Sequence, residues 1–174
     1  MVRFVILILL LCIDVRAFGQ NSVVDCTIGK AENFLYVRET NGPNDSPEIR
    51  LFIDNLDKKV PYGSSWCAAY VSYCLKSCGI YSPNSAWSPG LFIGKEVYGF
   101  DYIQAKPLRK GDIFGIYFSR LGRIAHVGFV LEDRGFTVVT IEGNTNGNGS
   151  REGDGVYKRV RLRKQLYKIK RYGK

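Results

Sequence analysis

From Ser64 to Ile80 apolar positions recur at 67, 70, 71, 74, 75 and 78, the alternating three-and-four spacing of one helical face. Ser64 or Ser65 offers an N-cap, and Lys76 followed by Gly79 supplies a stop. Two shorter helices are predicted upstream. Ile28, Ala31, Phe34 and Leu35 fall at helical spacing between Asp25 and Tyr36, and Ser46-Pro47-Glu48 reads as cap, first-turn proline and early acid ahead of the stripe Ile49, Phe52, Ile53 and Leu56. After Gly79 the helical period is lost. Residues 81–106 hold Pro83, Pro89, three glycines and the aromatics Trp87, Phe92, Tyr98, Phe100 and Tyr102 without a sustained period. They predict an irregular segment, either a substrate-binding wall or a long loop packed on the core. From Leu108 onward, β-rich runs bounded by turns predict strands at 113–118, 125–131, 136–142, 156–162 and 166–170, with a glycine- and asparagine-rich loop over 143–155. Sequential strands joined by tight turns pair antiparallel, and helices followed by strands define an α+β fold.

Length and composition narrow this picture. A chain of 174 residues with 45% hydrophobic content supports one core, so 21–174 is expected to form a single domain and a monomer. Residues 1–20 are set apart: Arg3, the uncharged run Phe4 to Cys12, and Ala17-Phe18-Gly19 have the order of a secretory signal peptide. The run is shorter than the roughly 20 residues that span a bilayer. Leu11 ahead of Cys12 disfavours lipidation, so the expected location is periplasmic or secreted without a lipid anchor.

Export would leave Cys26, Cys67, Cys74 and Cys78 in an oxidising compartment. Cys74 and Cys78 are one helical turn apart, with Cβ atoms about 5–6 Å from each other, against roughly 3.5–4.5 Å in a disulfide; they do not pair together. A bridge from Cys26 to either one, or a set of buried thiols, remains open. The net charge of +9 is concentrated at one end, because Lys158 to Lys174 contains nine Lys or Arg and no acid. That tail is either a patch for an anionic neighbour such as a cell-envelope polymer or a solvated strand pair; no nucleic-acid partner is expected.

Cys67 lies in the first turn of its helix, where the dipole and free N–H groups favour a thiolate. A thiolate nucleophile needs a base and the base an orienter. His126 is the single histidine. On the following strand Glu142 and Asn144 are two apart and share a face while the segment stays extended, so neighbouring strands would bring an acceptor to one imidazole nitrogen and leave the other for the thiol. The residues between Asn144 and Asp154 do not match a calcium loop, and one histidine with helix-facing cysteines does not make a zinc site. No metal or other cofactor is expected.

The ordered motifs Trp66-Cys67-Ala68-Ala69-Tyr70-Val71, Lys110-Gly111-Asp112-Ile113, Ala125-His126-Val127-Gly128 and Ile141-Glu142-Gly143-Asn144 resemble CHAP-type cysteine amidohydrolases/peptidases of bacterial peptidoglycan. The likeness runs from about Asp25 to Leu162. It implies a papain-like fold with a four- to six-stranded antiparallel sheet, with Cys67 as nucleophile, His126 as base and then acid, Glu142 as orienter, and Asn144 as a further polar contact or a share of that role. It implies peptidoglycan as the substrate and amide hydrolysis as the reaction. Many relatives carry glutamine where this chain has Trp66, which removes that side-chain oxyanion donor and leaves the Cys67 backbone N–H as a candidate. Trp66 is a substrate wall or ordinary core, and Trp87 and Tyr98 are the other expected substrate contacts. The rival reading is a non-catalytic envelope-binding module of the same fold, held by the basic tail and the aromatic segment.

Overall fold

Ser46 ends an extended stretch with its hydroxyl accepting from Ile49 N–H at 3.3 Å, and helix α2 (Pro47–Asp54) starts with a proline whose missing N–H costs nothing there. The computed structural model describes residues 23–148 and 152–172; the expected signal peptide and Cys12 lie outside them. Among the described residues no helix is long and apolar enough to cross a membrane. Helix α1 spans 23–32 and α3 spans Cys67–Ser77. The end of α3 is a double closure, Ile80 N–H to Leu75 C=O and Gly79 N–H to Lys76 C=O, made possible by Gly79 at φ 71°. Its start differs from the expected one. Trp66, not a serine, is the N-cap residue and offers no side-chain cap, while the Ser64 hydroxyl bonds back to Pro61.

Helix α3 is the central helix. Every residue from Cys67 to Ser72 is buried, with Cys74 and Leu75, so apolar side chains surround it and it packs on more than one side. Against it lie α1, α2 and an aromatic group in which the Phe34 ring meets Phe52 edge-on at 4.9 Å and Phe52 meets Tyr70 at 5.5 Å. The Tyr70 hydroxyl is satisfied by Ala31 C=O. A disulfide joins Cys26 on α1 to Cys78 just past α3, and Cys74 stays free and buried.

Among the described residues six antiparallel strands form one sheet in the order β1-β6-β2-β3-β4-β5: β1 Val97–Tyr98, β2 Ile113–Phe118, β3 Arg123–Asp133, β4 Thr137–Thr145, β5 Gly155–Leu162 and β6 Lys168–Lys170. With the helices this is the expected α+β, papain-like architecture. Both faces are covered. Ile113, Val127, Phe129 and Ile141 join the helical core, whereas Phe114, Val130, Val138 and Ile169 join a second cluster with Ile103 and Leu166. Two-sided burial explains why Ile124 to Val130 is buried without alternation. Two expectations are corrected. Residues 81–106 contain a 3-10 turn (Ser88–Leu91), strand β1 and helix α4 (Phe100–Ala105), and Gly143 to Thr145 continue β4 rather than beginning a loop.

Candidate active site

The pairing of β3 with β4 runs from Asp133↔Val138 to Phe129↔Ile141. Past that pair β3 continues on β2, with His126 opposite Ile116, and β4 continues on β5, with Glu142 opposite Tyr157. The N-terminus of α3 meets the sheet at this divergence. Gly143 lets it approach, because a Cβ there would stand 2.7 Å from the Trp66 ring and 2.9 Å from Tyr70. With its amide oriented as its neighbours require, buried Asn144 accepts from Trp66 N–H at 3.1 Å and donates to Gly153 C=O at 3.0 Å. Its φ of 55° is a left-handed conformation that asparagine tolerates better than most residues. Asn144 therefore caps the helix that carries the thiol.

Cys67, 3% exposed, opens α3 with its sulfur 3.6 Å from Ser88 Oγ. His126 is buried and Nε2 lies 2.8 Å from Glu142 Oε2; Nδ1 has no nitrogen or oxygen partner, and the imidazole interacts with the Cys67 thiol. Glu142 is fully buried. Its Oε1 accepts from Thr140 Oγ1 at 2.5 Å and Arg161 Nε at 2.9 Å, and its Oε2 accepts from Arg161 Nη2 at 2.5 Å. Gly128 gives the carboxylate side chain its room, since a Cβ there would lie 2.9 Å from Glu142 Cγ.

The electrostatics follow from this line of groups. Burial pushes the Cys67 thiol up, but His126, Ser88 and the Val127 backbone outweigh it, and the net direction is down. Burial likewise disfavours imidazolium, yet the thiol and Glu142 raise His126 to about 9. Glu142 is held at about 2 against its own burial by Arg161 and then His126. Opposite shifts on Cys67 and His126 favour a thiolate beside an imidazolium, the form able to attack a carbonyl and return a proton. Cys74, with no such neighbours, is driven far up by burial.

Of the expected site residues, Cys67, His126 and Glu142 come together, and Asn144 joins them through Trp66 rather than through the imidazole. Trp66 itself is fully buried between Phe52 and Tyr70 with its indole N–H on Glu39; the expected substrate contact is corrected to a core residue. Tyr98, partly buried on β1 at the far edge of the sheet, stacks on Tyr102 at 4.1 Å, and the expected substrate contact is corrected to an edge residue away from Cys67 and His126. Trp87 is 59% exposed and directly precedes Ser88. A cavity of about 420 Å³ reaches His126, with Tyr117, Arg161, Lys164 and Gln165 in its lining.

Sequence reasoning missed Ser88, Thr140 and Arg161. The two-residue spacing of Thr140 and Glu142 was a usable signal for one face; Ser88 sat in an irregular segment and Arg161 in a run of like charges. Most of that run has partners within the fold, some of them at the surface. Lys158 pairs with Glu32, Arg163 with Asp133 and Arg171 with buried Asp112, Lys170 donates to Ile93 and Lys95 carbonyls, and Arg159 donates to Gly147. Among the described residues no group of three or more His, Cys, Asp or Glu is arranged to hold a metal ion.

Comparison with known proteins agrees with the geometry. No significant match is found among curated proteins. A family model described as "CHAP domain" matches residues 59–144, a stretch that holds Cys67, His126, Glu142 and Asn144 and stops short of Arg161. Domains of this family are typically cysteine- and histidine-dependent amidohydrolases and peptidases with peptidoglycan as substrate, and residues 59–144 of the chain match their model.

Proposed function

We propose that the protein is an exported cysteine hydrolase that cuts an amide bond of bacterial peptidoglycan, either between muramic acid and L-alanine or within the stem peptide. The observation that carries this reading is the buried line Cys67, His126, Glu142 at the start of a helix, with the thiol shifted down and the imidazole up. Cys67 Sγ attacks the amide carbonyl carbon and the C–N bond breaks as His126 gives its proton to the leaving amine. A water molecule then attacks the thioester, His126 takes the water's proton, and the thiol is released. Glu142 holds the imidazole's other nitrogen and balances its charge. The Cys67 backbone N–H at the head of α3 is the oxyanion donor in this scheme. Trp87 has the exposure needed to line the bound substrate.

Export by residues 1–20, with 21–174 as the mature domain in the periplasm or outside the cell, belongs to the same reading. The purified mature protein should clear purified peptidoglycan, and mass spectrometry of the released fragments identifies the bond. Cys67→Ala should abolish clearing while circular dichroism stays unchanged. Undiminished hydrolysis by that variant refutes the assignment. The binding-module alternative has less support, because most of the tail's cations already have partners within the fold.

A further inference from the structure

The last member of the buried line is a residue from the basic tail. Glu142 has no contact with water, and a buried carboxylate facing a single imidazole is costly, since removal from water outweighs what one partner returns. Arg161 supplies the remainder. It stands on β5 opposite Val138 and reaches along the sheet face, past the Thr140 position, to Glu142. Its Nε binds Oε1 at 2.9 Å and its Nη2 binds Oε2 at 2.5 Å, a fork across both oxygens that fixes the plane of the carboxylate. Thr140 takes a second site on Oε1, and His126 Nε2 takes a second site on Oε2. The charged groups facing Glu142 are His126 from β3 and Arg161 from β5; β2 brings the apolar Phe114 ring to the imidazole, and α3 brings Cys67 to its other side. The result is an alternating sequence of thiolate, imidazolium, carboxylate and guanidinium.

We propose that Arg161 is a positioning residue of the active site, holding the Glu142 carboxylate ionised and aimed at His126 so that imidazolium and thiolate persist together. The proposal rests on the assignment of Cys67 and His126 made above, and it adds a residue outside the 59–144 family match. Without Arg161, burial would favour the neutral acid of Glu142, the imidazolium would lose its counter-charge, and the thiolate would form only at higher pH. Lysine at this position keeps the charge and loses the fork.

The test is the pH profile of Cys67 alkylation by iodoacetamide in the full chain, read by mass spectrometry of the Cys67 peptide so that Cys74 does not contribute. Arg161→Gln should move the acid-side midpoint up by about one pH unit, and Arg161→Lys should return it most of the way. With peptidoglycan, Arg161→Gln should lower kcat at least tenfold with KM little changed. A folded Arg161→Gln protein with the wild-type midpoint overturns the proposal. If that variant does not fold, Arg161→Lys is read in its place: it keeps the charge and loses the fork, so a midpoint above the wild-type value supports the proposal and the wild-type midpoint overturns it. Because alkylation needs no substrate, failure to clear peptidoglycan leaves this result readable. A wild-type midpoint already near the free-thiol value overturns both readings.

Discussion

The bridge between Cys26 and Cys78 closes a loop with a sequence separation of 52. Chain-entropy theory gives an unfolded-state loss of about 2.1 + 1.5R ln n cal/mol/K, which at that length is roughly 14 cal/mol/K, or about 4 kcal/mol at 25 °C. The native geometry places the load where it matters: α1 is tied to the end of α3, and α3 carries Cys67 at its other end. Cys26→Ser/Cys78→Ser should therefore lose about 4 kcal/mol in urea titration, or about 8–16 °C in melting temperature for a chain of this size. The comparison is made on oxidised protein, and adding reductant to the wild type should reproduce the loss. Cys67 alkylation at 25 °C in the absence of denaturant should be unchanged so long as the variant stays folded, since the thiol's partners are Ser88, His126 and Val127. A loss under about 1 kcal/mol, with an unchanged denaturant slope, would refute the assignment of this bridge as a constraint on the unfolded chain.

Three other outcomes follow from the site. His126 has its folded pKa raised to about 9, so its contribution to stability is complete below its ordinary 6.5 and is lost as pH rises through about 9; Glu142, held at about 2, contributes above 4.5 and loses that contribution as pH falls through about 2. Chemical denaturation across pH should show both flanks, and His126→Gln should remove the alkaline one. Asn144→Ala removes the acceptor for Trp66 N–H and puts a Cβ residue of lower tolerance at φ 55°, so about 1–3 kcal/mol should be lost in urea; less than about 0.5 kcal/mol would refute its capping role. Gly128→Ala drives a methyl to 2.7 Å from Ile141 C=O and 2.9 Å from Glu142 Cγ, so it should cost about 1–3 kcal/mol and reduce hydrolysis more than stability, and full activity would contradict the tight fit.

The fold was legible wherever one local rule acted alone. The Ser46-Pro47 start of α2 and the Gly79 end of α3 are decided by the residues beside them. The start of α3 was not, because its cap comes from Asn144 on a distant strand, and two adjacent serines offered a more obvious local answer. Helix α4 has a single buried residue, Ile103, and a glycine N-cap without a side chain, so it shows neither stripe nor cap. In the candidate site, Cys67 and His126 could be singled out because one cysteine stands in the first turn of its helix and the sequence holds a single histidine. Trp66 and Tyr98 could not be placed, since an aromatic residue satisfies a core and a binding wall equally well. Arg161 was hidden by its neighbours: in a run of cations nothing in composition distinguishes the one that turns inward.

Strand β6 lies between β1 and β2 in the sheet although it is the last of the described strands in chain order. Arg171 just beyond it closes on buried Asp112, and the preceding strand delivers Arg161 to Glu142. A chain emerging from its N-terminus thus carries Cys67, His126 and Glu142 well before it carries the strands that complete the sheet and the arginine that pairs with the carboxylate. The geometry of the candidate site therefore depends on strands from well beyond it in the chain, and a segment trimmed to 59–144 would hold Cys67, His126 and Glu142 without β5 and β6 to complete the sheet around them.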